Sequence, residues 1–95
     1  MPHIINKETA QTLLVDRLVN IAAIVHPLTA LPQVYSIYST HNVAGISLWT
    51  WLGFMLIGFV FLAYGITHHL KPIILTQVLW FFVDLMVIIG IILYQ

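Results

Sequence analysis

Three long apolar stretches separated by two short polar breaks predict an all-α integral membrane protein of three transmembrane helices, the first bent by proline. Of the 95 residues, 61% are hydrophobic and 6% charged, with a mean hydropathy of +1.03. A soluble domain carries about a quarter of its residues as charges, so this composition places the chain in the lipid bilayer. Each stretch holds enough residues, at ~1.5 Å of rise apiece, to cross a ~30 Å hydrocarbon core. The formal net charge is 0, with no basic run, which excludes nucleic acid as a partner and a polybasic lipid-binding tail. Cysteine is absent, which excludes disulfides, Cys-ligated metals and thiol chemistry.

Taken in order, residues 1–10 read as a polar N-terminal segment, with Asn6 or Thr9 as the cap of a helix beginning near Glu8 to Gln11. The segment lacks the order of a signal peptide, so no cleavage is expected. Asp16 and Arg17 mark the membrane interface, and the first span covers about 18–38. Ser39-Thr40-His41-Asn42 form the first break, rich in turn and helix-start residues. The second span covers about 45–66, and Thr67-His68-His69-Leu70-Lys71 form the second break. Pro72, harmless in a first helical turn, opens a third span over about 72–93. The whole, 1–95, is one three-helix domain. Lys7, Arg17 and Lys71 all fall on the N-terminal side, which by the positive-inside rule faces the N-terminus to the cytoplasm.

Within the first span, Pro27 and Pro32 stand five residues apart. Each deletes a backbone donor and crowds the carbonyl one turn back. Lipid tolerates such interruptions where polar side chains or a wet cavity serve the freed groups, as in transporter helices that bend around a midplane site. Pro27, Pro32 and Gln33 are therefore expected to form a hinge, with the Gln33 carboxamide serving the freed backbone. Gly53, Gly58 and Gly65, with Ala22, Ala23 and Ala30, offer small surfaces for close helix approach, inside one three-helix unit or between two. Three helices cannot enclose a polar path alone, whereas a symmetric homodimer would gather six around one axis.

Asp84 is the clearest chemistry-bearing residue. An ionisable group at bilayer depth costs several kcal/mol unless paired, protonated or wet. Gln77 and Trp80 share its helix face by spacing. Two roles fit: a wall of a transport path that binds solute hydroxyls, amines or a proton, or a hydrogen-bonded carboxyl tying two helices together. His26, directly before the bend, can exchange protons near neutral pH and could pair with Asp84 within or between protomers; equally, it could hydrogen-bond a carbonyl freed by proline. Trp80 and Phe61 offer flat faces to a ring or to their neighbours. Trp49 and Trp51 are placed at headgroup depth, and His68 and His69 at a solvated link, without a third ligand for a metal. No catalytic constellation or phosphate loop is present, so neither an enzyme nor a cofactor is expected.

Leu31-Pro32-Gln33, the run Ser39-Thr40-His41-Asn42-Val43-Ala44-Gly45-Ile46-Ser47-Leu48, then Tyr64-Gly65 and Lys71-Pro72-Ile73-Ile74 together resemble the PQ-loop family, specifically bacterial SemiSWEET sugar transporters, over about residues 22–93. The resemblance implies a three-helix half-transporter of the cell inner membrane, paired as a homodimer into a six-helix pore. It implies passive, bidirectional movement of a mono- or disaccharide by alternating access about the Pro-Gln kink, and an outside N-terminus, opposite to the charge count. Two positions depart from members with a sugar pocket: Phe61 stands where they carry tryptophan and Gln77 where they carry asparagine. The expected pocket is His26, Phe61, Gln77, Trp80 and Asp84. Asp84 and His26 keep open a proton-coupled transporter of an amino acid or other small polar solute, and a non-transporting accessory subunit is the remaining alternative.

Overall fold

The computed structural model describes residues 7–95, which form the helices α1 (Lys7–Leu28), α2 (Leu31–Thr40), α3 (Leu48–Thr67) and α4 (Lys71–Tyr94). α1 and α2 together make one crossing, Thr9–Thr40; α3 and α4 are the other two helices long and apolar enough to span a membrane. α4 packs against α1, α2 and α3, so the last span lies between the other two. His26 meets Trp80 and His41 meets Tyr94, so the first and third spans run parallel. Continuing that register back along α1 brings Arg17 level with Lys71, as an interfacial charge requires.

The first crossing is longer than the expected 18–38. Its 32 residues reach ~48 Å at helical rise, more than the hydrocarbon needs, within a molecule 60 Å long. Residues 7–10, read as part of the polar N-terminal segment, are already helical, so the helix starts at Lys7, just ahead of the expected Glu8 to Gln11. Lys, Glu, Ala, Gln and Leu over 7–14 are strong helix formers, and a helix need not stop at the membrane surface. Thr9 lies inside α1 rather than capping it, and Asn6 falls outside the described residues.

The two prolines produce one interruption instead of two. Pro27 occupies the last turn of α1 and Pro32 the first turn of α2, so the chain breaks only at Thr29 and Ala30. Across this break the Ala30 N–H reaches the Pro27 carbonyl (3.1 Å), and the Ala30 carbonyl accepts from the Gln33 and Val34 N–H groups (3.1 and 3.2 Å). The side chain that serves the break is also not the expected one. The Thr29 hydroxyl donates to the His26 carbonyl at 2.5 Å, while Gln33 is exposed. A hydroxyl on the last turn reaches a carbonyl three residues back, as serine and threonine do in helices; Gln33, one turn into α2, points elsewhere.

The remaining boundaries follow from caps. α3 begins at Leu48, not 45, because the Ser47 side chain accepts from the Thr50 N–H (3.2 Å); Gly45 remains in the link with φ +80°, a conformation glycine adopts freely. α3 ends in a Schellman motif: the Leu70 N–H bonds the Gly65 carbonyl (2.8 Å), the His69 N–H the Ile66 carbonyl (3.3 Å), and His69 takes the left-handed conformation (φ 56°). Pro72 stands in the first turn of α4, which runs 71–94 where 72–93 was expected.

The core is the seam between α2 and the C-terminal half of α4. Val34 and Ile37 pack with Val43, Val83, Val87 and Ile91, and the Tyr38 hydroxyl donates to the Met86 carbonyl across it (2.7 Å). Gly90, unremarked in the sequence reading, lets the helices meet: a Cβ there would stand 2.6 Å from Ile37 Cγ2. Gly65 has the same role between α3 and the start of α4, with Ile73 at 2.9 Å. Gly53 does not, because nothing lies within 4 Å of its Cβ position; it opens onto the cavity described next.

Candidate functional site

A cavity of about 770 Å³ opens between the three spans. α4 forms its floor with Gln77, Trp80 and Asp84, α1 contributes His26 to one wall, and α3 builds the other, Phe61 included. All five residues singled out as a pocket are therefore brought together. The face of α4 follows from helical repeat, since positions 77, 80 and 84 fall within two turns on one side. His26 arrives because α1 ends one residue beyond Pro27, which is buried. The hinge residues Pro27, Pro32 and Gln33 lie at or beside the break and not in the lining.

The geometry divides into an aromatic part and a polar part. The His26 ring stands edge-on to Trp80, 5.1 Å between centroids, and Trp51 stands edge-on to Phe54 at 5.3 Å. Gln77 lies against α3 where Gly58 leaves room: a Cβ at 58 would come 3.2 Å from the Gln77 Oε1. Asp84 is 3% exposed, and its Oδ1 has no hydrogen-bond partner among the described residues. Burial of an unpartnered carboxylate oxygen is costly, so the alternative of a carboxyl tied by hydrogen bonds to a neighbouring helix finds no bond at that atom. His26 packs on Trp80, one turn of α4 away from Asp84.

Sequence reasoning missed most of the α3 wall. Trp49, Thr50, Trp51, Phe54 and Ile57 all line the cavity, a role the sequence reading gave to neither tryptophan. The signal was present: stepping back from Phe61 by helical repeats gives Gly58, Ile57, Phe54 and Thr50 as one face. His68 and His69 are exposed at the end of α3, as expected, with the His68 ring against Tyr64 (4.5 Å).

Comparison with known proteins agrees with this architecture. The family described as PQ loop repeat matches residues 28–74, a segment from the interrupted first crossing to the start of α4. Sugar transporter SemiSWEET from Vibrio sp. (strain N418) is 32% identical over 79 residues, which cover 81% of this chain and 81% of that protein. No solved structure matches. The family is not enzymatic. With three membrane-spanning helices, the matched repeat and the extent of this identity, the chain belongs to the PQ-loop family as a SemiSWEET-like membrane protein.

Proposed function

We propose that the protein carries small sugars across the bilayer by alternating access, as a homodimer in the cell inner membrane, passively and in both directions. The observation that carries this reading is the convergence of His26, Phe61, Gln77, Trp80 and Asp84 on one cavity of about 770 Å³, within the ~300–1,000 Å³ typical of small-molecule sites. Flat aromatic faces beside a carboxamide and a carboxylate suit a sugar, whose ring carbons stack and whose hydroxyls need hydrogen-bond partners. The similarity to a protein named as a sugar transporter points the same way. Two cavities facing each other across a two-fold axis give a path that one protomer leaves open on one side. The interruption at Thr29 and Ala30, adjoining His26, supplies the flexing point between the cavity wall and the α2 seam.

The test is flux in liposomes containing the purified protein. Labelled glucose or sucrose should equilibrate without any imposed proton gradient. A second reading is favoured by the unpartnered Asp84 Oδ1: proton-coupled transport of a small polar solute through Asp84 and His26. That reading requires flux that appears only with an imposed pH gradient and disappears in Asp84→Asn. Purified protein that moves no solute under either condition would favour an accessory subunit.

A further inference from the structure

The cavity floor holds a carboxyl group for which the described residues provide no counter-charge. Asp84 is almost wholly buried, and among the described residues its Oδ1 has no partner and no lysine or arginine lines the cavity. The whole chain has three such residues: Lys7, Arg17 and Lys71, all outside the apolar stretches or at their ends. A second copy related by symmetry brings the same three at the same levels, so it adds no lysine or arginine near Asp84 either. α3 carries no ionisable acid or base between Leu48 and Thr67 apart from Tyr64, and His26 of α1, its ring edge-on to Trp80, makes no ion pair with Asp84. A buried carboxylate is stabilised by a counter-charge or by donors to its lone pairs. The same cavity is lined by Trp80, Phe61, Trp51 and Phe54, and aromatic faces attract ammonium groups through the negative face of the ring.

We propose that Asp84 is the anionic pole of a site for a protonated amine, so that the preferred cargo is an amino sugar rather than a neutral one. This rests on the transport reading above and narrows it to a substrate class. The ammonium would donate to the Asp84 carboxylate while the sugar ring lies along the aromatic wall and Gln77 takes a hydroxyl. Glucose and glucosamine differ only in a hydroxyl against an ammonium at one ring carbon, so comparing them isolates the charge.

The experiment measures initial uptake of labelled glucosamine and glucose into proteoliposomes at the same pH on both sides, about pH 7, where the amine is still mostly charged. At limiting concentration glucosamine should enter at least about tenfold faster than glucose, the scale of one charge-assisted hydrogen bond. In Asp84→Asn the ratio should fall to about one, and Asp84→Glu, which keeps the charge, should retain part of the preference. Equal rates in the unmodified protein, a preference that survives Asp84→Asn, or uptake requiring an imposed pH gradient would each overturn the proposal, the last by making Asp84 a proton site. If neither sugar moves, the transport reading fails first. Binding then decides the present one: glucosamine but not glucose should quench tryptophan fluorescence of the solubilised protein, and the quench should vanish in Asp84→Asn. Lack of any quench overturns it.

Discussion

A methyl group at position 90 has nowhere to go. The Cβ of alanine there would approach Ile37 Cγ2 to 2.6 Å and the Tyr38 ring to 3.4 Å, and Ile37 is fully buried, so α2 must move off α4 or repack. Gly90→Ala should lower thermal stability in detergent by about 1–3 kcal/mol, despite alanine's better helix propensity. Combined with Ile37→Ala, which removes the clashing methyl, the two losses should be clearly less than additive; additive losses would mean the contact is not what limits the approach. At Phe61 the issue is surface area for stacking. Phe61→Ala should slow sugar flux several-fold, since an aromatic contact contributes roughly 0.5–1.5 kcal/mol, while Phe61→Trp should retain transport. Unchanged flux in Phe61→Ala would remove that ring from the substrate path. At this scale much of the site was legible in the sequence, because a carboxylate within an apolar span and its helical neighbours at 77 and 80 mark one face without knowledge of packing. Trp49 and Trp51 were not legible in the same way, because an aromatic residue near the end of a span satisfies an interfacial role and a cavity role equally until a facing helix is known.

The element that moves, on this reading, is the joint between α1 and α2. Its position follows from proline chemistry: Pro27 cannot donate to the Ala23 carbonyl, nor Pro32 to the Leu28 carbonyl, and the bonds at Thr29 and Ala30 mix i→i−3 with i→i−4 spacing. The sequence showed that the first crossing bends and that its bend lies among these residues. It did not show that the two prolines share a single break, because a proline in a first turn costs nothing and only the placement of the α2 start reveals which kind Pro32 is. Replacing both prolines by alanine restores two donors and removes two ring clashes, a change of about 3 kcal/mol for an interior proline, toward one continuous helix. The double variant Pro27→Ala with Pro32→Ala should fold, should show slower backbone hydrogen exchange over residues 29–34, and should transport at least tenfold more slowly. Faster or unchanged flux alongside slowed exchange would separate the break from the transport cycle. Thr29→Val tests the same joint from its side chain: loss of the hydroxyl bond to the His26 carbonyl should cost about 1 kcal/mol, while Gln33→Ala should change stability little.

For the molecule as a whole, the question is what covers the open side of the cavity. Within one chain most of the span surface is left uncovered: 6% of the most apolar window of α3 is buried and 28% of that of α4. Lipid accepts apolar surface of that kind. It does not accept Asp84 and Gln77 at the bottom of a groove open to hydrocarbon, where a polar group lacking a partner or water costs several kcal/mol. A second copy placed groove to groove would replace lipid with a shared aqueous chamber, which is the arrangement proposed here. Gly53 gives a direct probe, because it opens onto the cavity with no atom within 4 Å of its Cβ position, and the chain has no cysteine to confuse the signal. The thiolate, the reactive form, exists only where water reaches the sulfur. Gly53→Cys in intact vesicles should therefore react with a small water-soluble maleimide, and the solubilised protein should have the mass of two chains by light scattering. A one-chain mass together with an unreactive thiol would leave the groove facing lipid, and the chamber on which alternating access depends would have no second wall.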